Sequence, residues 1–363
     1  MSKFNRQAGI DMRITPQTAP TERLVYADLM RILAVFLVIV THVSGCGWQE
    51  LAVGGGDWIV SLFYNAASRI CVPLFVMLSG MFFLDPDKPV SIHAVYHKYL
   101  PRIIFCFLFW SALYALVFTW LDHRALNADF IRSALKTFLL GHYHLWFLYM
   151  IAGLYVLTPI LRLISCKIQD TVYYILLWFI FCSLLPTFLK LFPSETITSV
   201  IAETGLSMLT GYSGYFLAGS LLRQVQMDKK FRLLLYVLGI LGLAATISGT
   251  LWLSVKQARL NTALTSYFSP SIVLSSAAAA VFLKQLWQNI SLDGSKSWIQ
   301  PMSACVFGVY LIHDFWLSAL LGNRGFFFLP QVLRIPAASL MIFCASLVCV
   351  WLLRRLPFFK RLL

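Results

Sequence analysis

Charge is what this sequence has least of. Only 12% of its 363 residues are Asp, Glu, Lys or Arg, about half of the ~25% usual in soluble domains. A chain so poor in charge, 59% hydrophobic and with a mean hydropathy of +0.76, belongs in lipid rather than water. Acidic residues are scarcer still, 15 against 29 basic ones. The resulting charge of +14 does not indicate a nucleic-acid partner, because Lys and Arg sit in short clusters between apolar runs, as topology signals do. The eight Cys form no C-x-x-C pair. Most lie in apolar segments (Cys71, Cys106, Cys182, Cys305, Cys344, Cys349) and read as small buried hydrophobes, neither a disulfide framework nor metal ligands. Metalloprotease, P-loop, nucleophile-elbow and dinucleotide motifs are all missing, as are an internal inverted repeat and low-complexity tracts. No A-x-A-like cleavage site follows the first apolar segment, which is too long for a signal-peptide core, so it is expected to stay as a signal anchor.

What is present is a series of apolar runs. They fall at about 26–47, 58–84, 100–121, 145–164, 172–191, 205–222, 233–254, 266–286, 305–321 and 335–353, each near the ~20 residues that cross the hydrocarbon. Only helices or closed barrels satisfy their backbone in lipid, so the expectation is an all-α polytopic membrane protein of about ten transmembrane helices. A cytoplasmic basic tail (1–23), a ten-helix membrane domain (24–357) and a short basic tail (358–363) complete the division. With both termini cytoplasmic, inner segments hold roughly 19 Lys and Arg and outer loops roughly 8, as the positive-inside rule requires. The stretch 124–141 is too polar to span; Leu126, Phe130, Ile131, Leu135 and Phe138 recur at helical spacing, which suits a helix at the outer interface.

The first span, YADLMRILAVFLVIVTHVSGCG from Tyr26 to Gly47, organises the rest. Arg31 and His42 lie eleven positions apart, close to three turns at about 3.6 residues per turn, so both project from nearly one face, roughly 16 Å apart along the axis. Ionisable groups at membrane depth are costly and usually face a cavity or the bundle interior. Two at two depths suggest a polar pathway; the plainer reading has Arg31 snorkelling to the interface and His42 marking the helix end. Arg69, His144 and His313 also stand out as polar groups at membrane depth, with Pro73 and the Ser79–Gly80 pair reading as helix-shaping. Nothing fixes the histidines at metal-ligand spacing, so no metal is expected.

The chain resembles the membrane-bound acyltransferase 3 family. The likeness rests on D-L-M-R-I-L-A…T-H at 28–42, S-R-I-C-V-P-L-F-V-M-L-S-G at 68–80, H-L-W-F-L at 144–148 and G-V-Y-L-I-H at 308–313, in order and over nearly the whole chain. Within the family it is most similar to bacterial O-acetyltransferases of surface polysaccharides, of the type that acetylates enterobacterial common antigen. The resemblance implies transfer of an acyl group, usually acetyl from acetyl-CoA, to a sugar hydroxyl. The family's Arg-x10-His signature falls on Arg31 and His42, and its second-helix arginine on Arg69. The extra extracytoplasmic domain of some relatives is missing here, so transfer is expected within the membrane domain or onto a separate protein.

The residue types suit that chemistry. An imidazole with a pKa of about 6.5 can take a proton from a sugar hydroxyl, which makes His42 the expected catalytic base, with an acyl-imidazole as the alternative. Arg31 and Arg69 are expected to bind the acyl donor, gripping CoA phosphates or a developing oxyanion; their competing role is to pair with Asp28 or backbone carbonyls. His144, Trp146, Tyr310 and His313 form a second tier, for acceptor binding or acid–base assistance. Glu50 and Asp57 are equal candidates to orient the His42 ring. No permanently bound cofactor is expected, acetyl-CoA being a substrate. The expected partners are acyl-CoA, a surface glycan or lipid-linked oligosaccharide, membrane lipid and other polysaccharide-synthesis proteins, with no nucleic acid, at the bacterial inner membrane. Rival readings are a flippase for a lipid-linked sugar and a non-catalytic subunit of a polysaccharide-synthesis complex.

Overall fold

The computed structural model describes residues 24–87, 90–123, 127–194, 211–288, 298–321 and 329–363, together with residues 13–14, 196 and 199. The protein is all-α and polytopic. Among the described residues, nine helical segments are long and apolar enough to cross a membrane. The tenth expected span, 205–222, lies partly outside the described residues; from residue 213 on it is a helix. A two-residue antiparallel ladder pairs Arg13–Ile14 with Val225–Gln226.

Helix α1 (Val25–Gly45) packs against five others, which makes it the axis of the bundle. Two are the halves of the second span, α2 (Gly56–Ser68) and α3 (Cys71–Phe83). Pro73 explains the break between them. It has no N–H to offer the carbonyl of Arg69 four residues back, and its ring crowds that carbonyl. Helical hydrogen bonding resumes with Leu74 N to Ile70 O at 3.0 Å. A π-helical turn, Val95–Tyr99, leads into α4 (Leu100–His123). The separate short helix expected around 124–141 is α5 (Ala128–Leu140), capped by Asn127 Oδ1 accepting from Phe130 N at 2.9 Å. Gly141, at φ +76°, then turns the chain, because that backbone region is open to glycine and strained for most other residues. Leu126 lies outside the described residues.

After α6 (Trp146–Ser165) come α7 (Ile168–Trp178), a π-helical turn and α8 (Leu185–Leu191). Then follow α9 (Ser213–Gln224), α10 (Lys229–Gln257) and α11 (Pro270–Trp287). The remaining neighbours of α1 are α11, α12 (Ile299–Leu321) and α13 (Gln331–Leu353). The short helix α14 (Pro357–Leu362) folds back so that Leu362 and Leu363 are buried. The core is a large apolar cluster centred on α1 and α3, with a smaller one around Trp48, Trp58 and Leu62. Around it, residues such as Leu233, Val237, Ile240 and Leu241 of α10 are exposed, the surface a lipid solvent accepts. The expectation that the cysteines are buried fails for Cys344, which is exposed on α13 beside exposed Leu340 and Met341; a small apolar thiol suits that lipid-like side too.

Helices α3 and α9 cross at unusually close range. A Cβ added to Gly80 would collide with the Phe216 backbone, and one added to Gly219 with the Met77 backbone. Small residues permit such approach between membrane helices. Gly80→Ala or Gly219→Ala should therefore destabilise the protein by about 1–3 kcal/mol through overpacking. Thermal unfolding in detergent checks this, and an unchanged midpoint for both would contradict the close crossing.

Candidate active site

A cavity of about 1010 Å³ runs along α1, and its walls include both Arg31 and His42. Arg69, His144, Trp146 and Tyr310 line the same space. His313 stands behind His42, with ring centroids 5.3 Å apart. The structure thus gathers the expected site residues around one cavity, drawn from α1, the α2–α3 break, the 142–146 turn and α12.

Arg69 owes its place to the helix break and to one amide. Asn65, buried on α2, uses its Oδ1 to accept from Arg69 Nε at 3.0 Å. Its Nδ2 lies 3.2 Å from both the Thr41 carbonyl and Ser44 Oγ on α1. Thr41 Oγ1 also donates to Ser68 Oγ at 2.8 Å. The C-terminal end of α1, carrying His42, is therefore tied by side-chain hydrogen bonds to the segment that aims Arg69. The guanidinium lies over the ring of Tyr267, 5.4 Å from its centroid, and Tyr267 also faces the cavity.

Around His42 the sequence expectation needs correction. Glu50 and Asp57 are exposed and do not line the cavity. The neighbours of the imidazole are aromatic, with the edge of Tyr143 at 5.3 Å and His313 at the same distance. The nearby acid is Asp314. Successive helical residues diverge by about 100°, so Asp314 turns from His313 to the other side, where Tyr143 Oη donates to its Oδ1 and His142 Nδ1 lies 3.5 Å from its Oδ2. His142 Nδ1 and His144 Nδ1 are 3.0 Å apart. Among the described residues, His142, His144 and Asp314 are the group whose donor atoms could hold a metal ion. Tyr310 Oη donates to the His144 carbonyl at 2.5 Å. His313 Nδ1 is 2.7 Å from the Tyr310 carbonyl. A carbonyl only accepts, so Nδ1 carries the proton and Nε2, buried without a partner, keeps its lone pair.

The other end of the cavity is cationic. Arg31 pairs with Asp28 Oδ1 at 3.0 Å and lies 4.7 Å over Phe82; Asp28 Oδ1 also accepts from Ser303 Oγ at 2.7 Å. The competing role foreseen for Arg31, pairing with Asp28, is thus real, yet the arginine still faces the cavity. Arg102 joins it there, from the first turn of α4. In the sequence Arg102 and Asn65 carry no signal, His142 and Tyr143 are only neighbours of His144, and Asp314 is a possible imidazole orienter discounted because adjacent residues on a helix point apart. Proximity in the fold marks all five.

An acyltransferase domain family, acyltransferase 3, has a model that matches residues 24–355. The chain belongs to the acyltransferase 3 family. No curated protein and no solved structure matches it at a significant level. Membership makes the protein an acyltransferase, which favours the enzyme over the flippase and the non-catalytic subunit. An acyl transfer needs a base, a group for the oxyanion and a hold on the donor. An imidazole between aromatic rings, a guanidinium fixed by an amide and a second cationic end are groups of those kinds.

Asn65→Ala removes the hydrogen bonds that join α1 to Arg69. Acyl transfer should fall by on the order of tenfold to a hundredfold, the scale at which misplaced groups act, with the protein still monodisperse in detergent. A rate equal to wild type would show that the amide does not position the arginine.

Proposed function

We propose that this acyltransferase moves an acetyl group from acetyl-CoA to a hydroxyl of a cell-surface or lipid-linked glycan at the bacterial inner membrane, in the manner of enzymes that acetylate enterobacterial common antigen. One observation carries the reading: a single cavity has Arg31 and Arg102 at one end and His42 and Arg69 at the other. Acyl-CoA has its phosphates and its thioester at opposite ends of a long flexible arm. Guanidinium groups grip phosphate through a rigid fork of N–H donors, so the Arg31 end suits the nucleotide and the His42 end the thioester. Apolar side chains between them (Phe75, Phe82, Phe147 and Phe307 among them) line the space the arm would cross. The sequence's charge asymmetry supports placing the Arg31 end, and both termini, on the cytoplasmic side.

In this mechanism His42 takes the proton of the acceptor hydroxyl as its oxygen attacks the thioester carbonyl. Arg69 faces the oxyanion of the tetrahedral intermediate. Collapse breaks the carbon–sulfur bond, and the imidazolium returns its proton to the leaving thiolate. His313, with its lone pair on Nε2, is placed to accept a hydrogen bond from the imidazolium. Trp146 and Tyr310, in the cavity wall, contact the acceptor, and His144 stands beside them.

His42→Ala should lower acyl transfer by about 10²-fold or more, as loss of a general base does, with insertion unchanged. Arg31→Ala and Arg69→Ala should weaken use of acetyl-CoA about tenfold or more, the worth of a charged hydrogen bond. The checks are the acetyl content of surface glycans in a deletion strain complemented with each variant, and the acetyl-CoA KM and kcat in membranes. Undiminished acetylation with His42→Ala would remove its role as base, a normal KM for acetyl-CoA in Arg31→Ala would remove its role as donor ligand, and a normal kcat in Arg69→Ala its role at the oxyanion.

A further inference from the structure

We propose that His142, His144 and Asp314 bind a divalent first-row metal ion, with zinc the best fit to two imidazoles and a carboxylate, against the sequence expectation of no metal. Their donor atoms lie within 4.8 Å of one another. The two Nδ1 atoms are 3.0 Å apart, and His142 Nδ1 is 3.5 Å from Asp314 Oδ2. Ligands about 2.0–2.1 Å from a tetrahedral ion are themselves roughly 3.3 Å apart, so both His142 pairs already stand near that spacing, and His144 and Asp314, within 4.8 Å of each other, close on a shared ion. The donors come from two elements, the turn before α6 and helix α12, which brings them to the His42 end of the bundle.

Hydrogen bonding alone leaves this cluster short of protons. Tyr143 Oη satisfies Asp314 Oδ1, but Oδ2 faces His142 Nδ1 at 3.5 Å, beyond a good hydrogen bond. If one Nδ1 donates to the other, no proton on Nδ1 remains for the carboxylate. If His142 donates to Asp314, its Nδ1 has neither a proton nor a lone pair left for His144 Nδ1, 3.0 Å away. Asp314 and His144 are each 1% exposed, and among the described residues no Arg or Lys ion-pairs with Asp314. A buried carboxylate without a cation is costly. One dication accepts all three lone pairs and supplies the charge. With Nδ1 on the metal, the His144 proton moves to Nε2, which is buried without a partner.

The ion clamps the 142–144 turn to α12. Tyr143 sits within that turn, hydrogen-bonded to the metal ligand Asp314, with its ring edge against His42. The clamp is thus a positioning device for the His42 ring.

The test uses the full-length protein, purified in detergent, stripped with a chelator and dialysed against Zn²⁺, with bound metal measured by elemental analysis. Stripped wild type should take up one equivalent, and Asp314→Asn and His142→Ala should bind it at least about tenfold more weakly. Asn keeps the size of Asp and an acceptor for Tyr143, and reloading of stripped wild type gives an answer that needs no variant to fold. No uptake by wild type, or equal uptake by both variants (as zinc on free cysteines would give), overturns the site. Because the readout is bound metal, its failure leaves the acetyl-transfer reading untouched.

Discussion

Inside a membrane every polar group must find its partner in the protein, and that requirement, applied to α1, shapes the rest of this structure. Asp28, Arg31, Thr41, His42 and Ser44 lie on a helix whose other residues are almost all apolar. Lipid offers them nothing. Asn65 and Ser68 come in from α2, Ser303 from α12, and a Tyr–His–Asp cluster gathers at the His42 end. A helix surrounded in this way sits at the centre of the bundle. The site residues converge because an isolated polar group at that depth costs several kcal/mol.

The same constraint accounts for the broken second span. A continuous helix would carry Arg69 onward in register with the apolar residues of 71–83. Pro73 removes the hydrogen bond at that turn, and the break leaves Arg69 at a helix end, where Asn65 holds it. Close packing of α3 on α9 through Gly80 and Gly219 then fixes the second half. Rigid backbone placement is what a positioned guanidinium needs if it is to act on a developing charge.

The helices were legible because apolar runs of spanning length have few other readings in a chain so poor in charge. Arg31, His42 and Arg69 stood out for a related reason: a charge in such a run is conspicuous against its neighbours. His142, Tyr143 and Asp314 were not legible as a group. Tyr143 and Asp314 are far apart in sequence, and only the docking of a tight turn on α12 joins them. Glu50 and Asp57 looked suitable because they follow His42 closely in sequence, but the loop carries both into the exposed surface. Nearness along the chain is a poor guide just past a helix end, since the backbone there changes direction within a few residues.

In the proposed reaction one cavity serves two faces, with the donor entering at Arg31 and the acceptor at His42. Sealed vesicles of known orientation test it most directly, because acetyl-CoA does not cross a bilayer unaided. Labelled acetyl-CoA would be supplied on one side and a glycan acceptor on the other. Label should reach the acceptor only when acetyl-CoA is on the face bearing Arg31 and Arg102 and the acceptor on the face bearing His42. Transfer that requires both substrates on the same face would contradict the account.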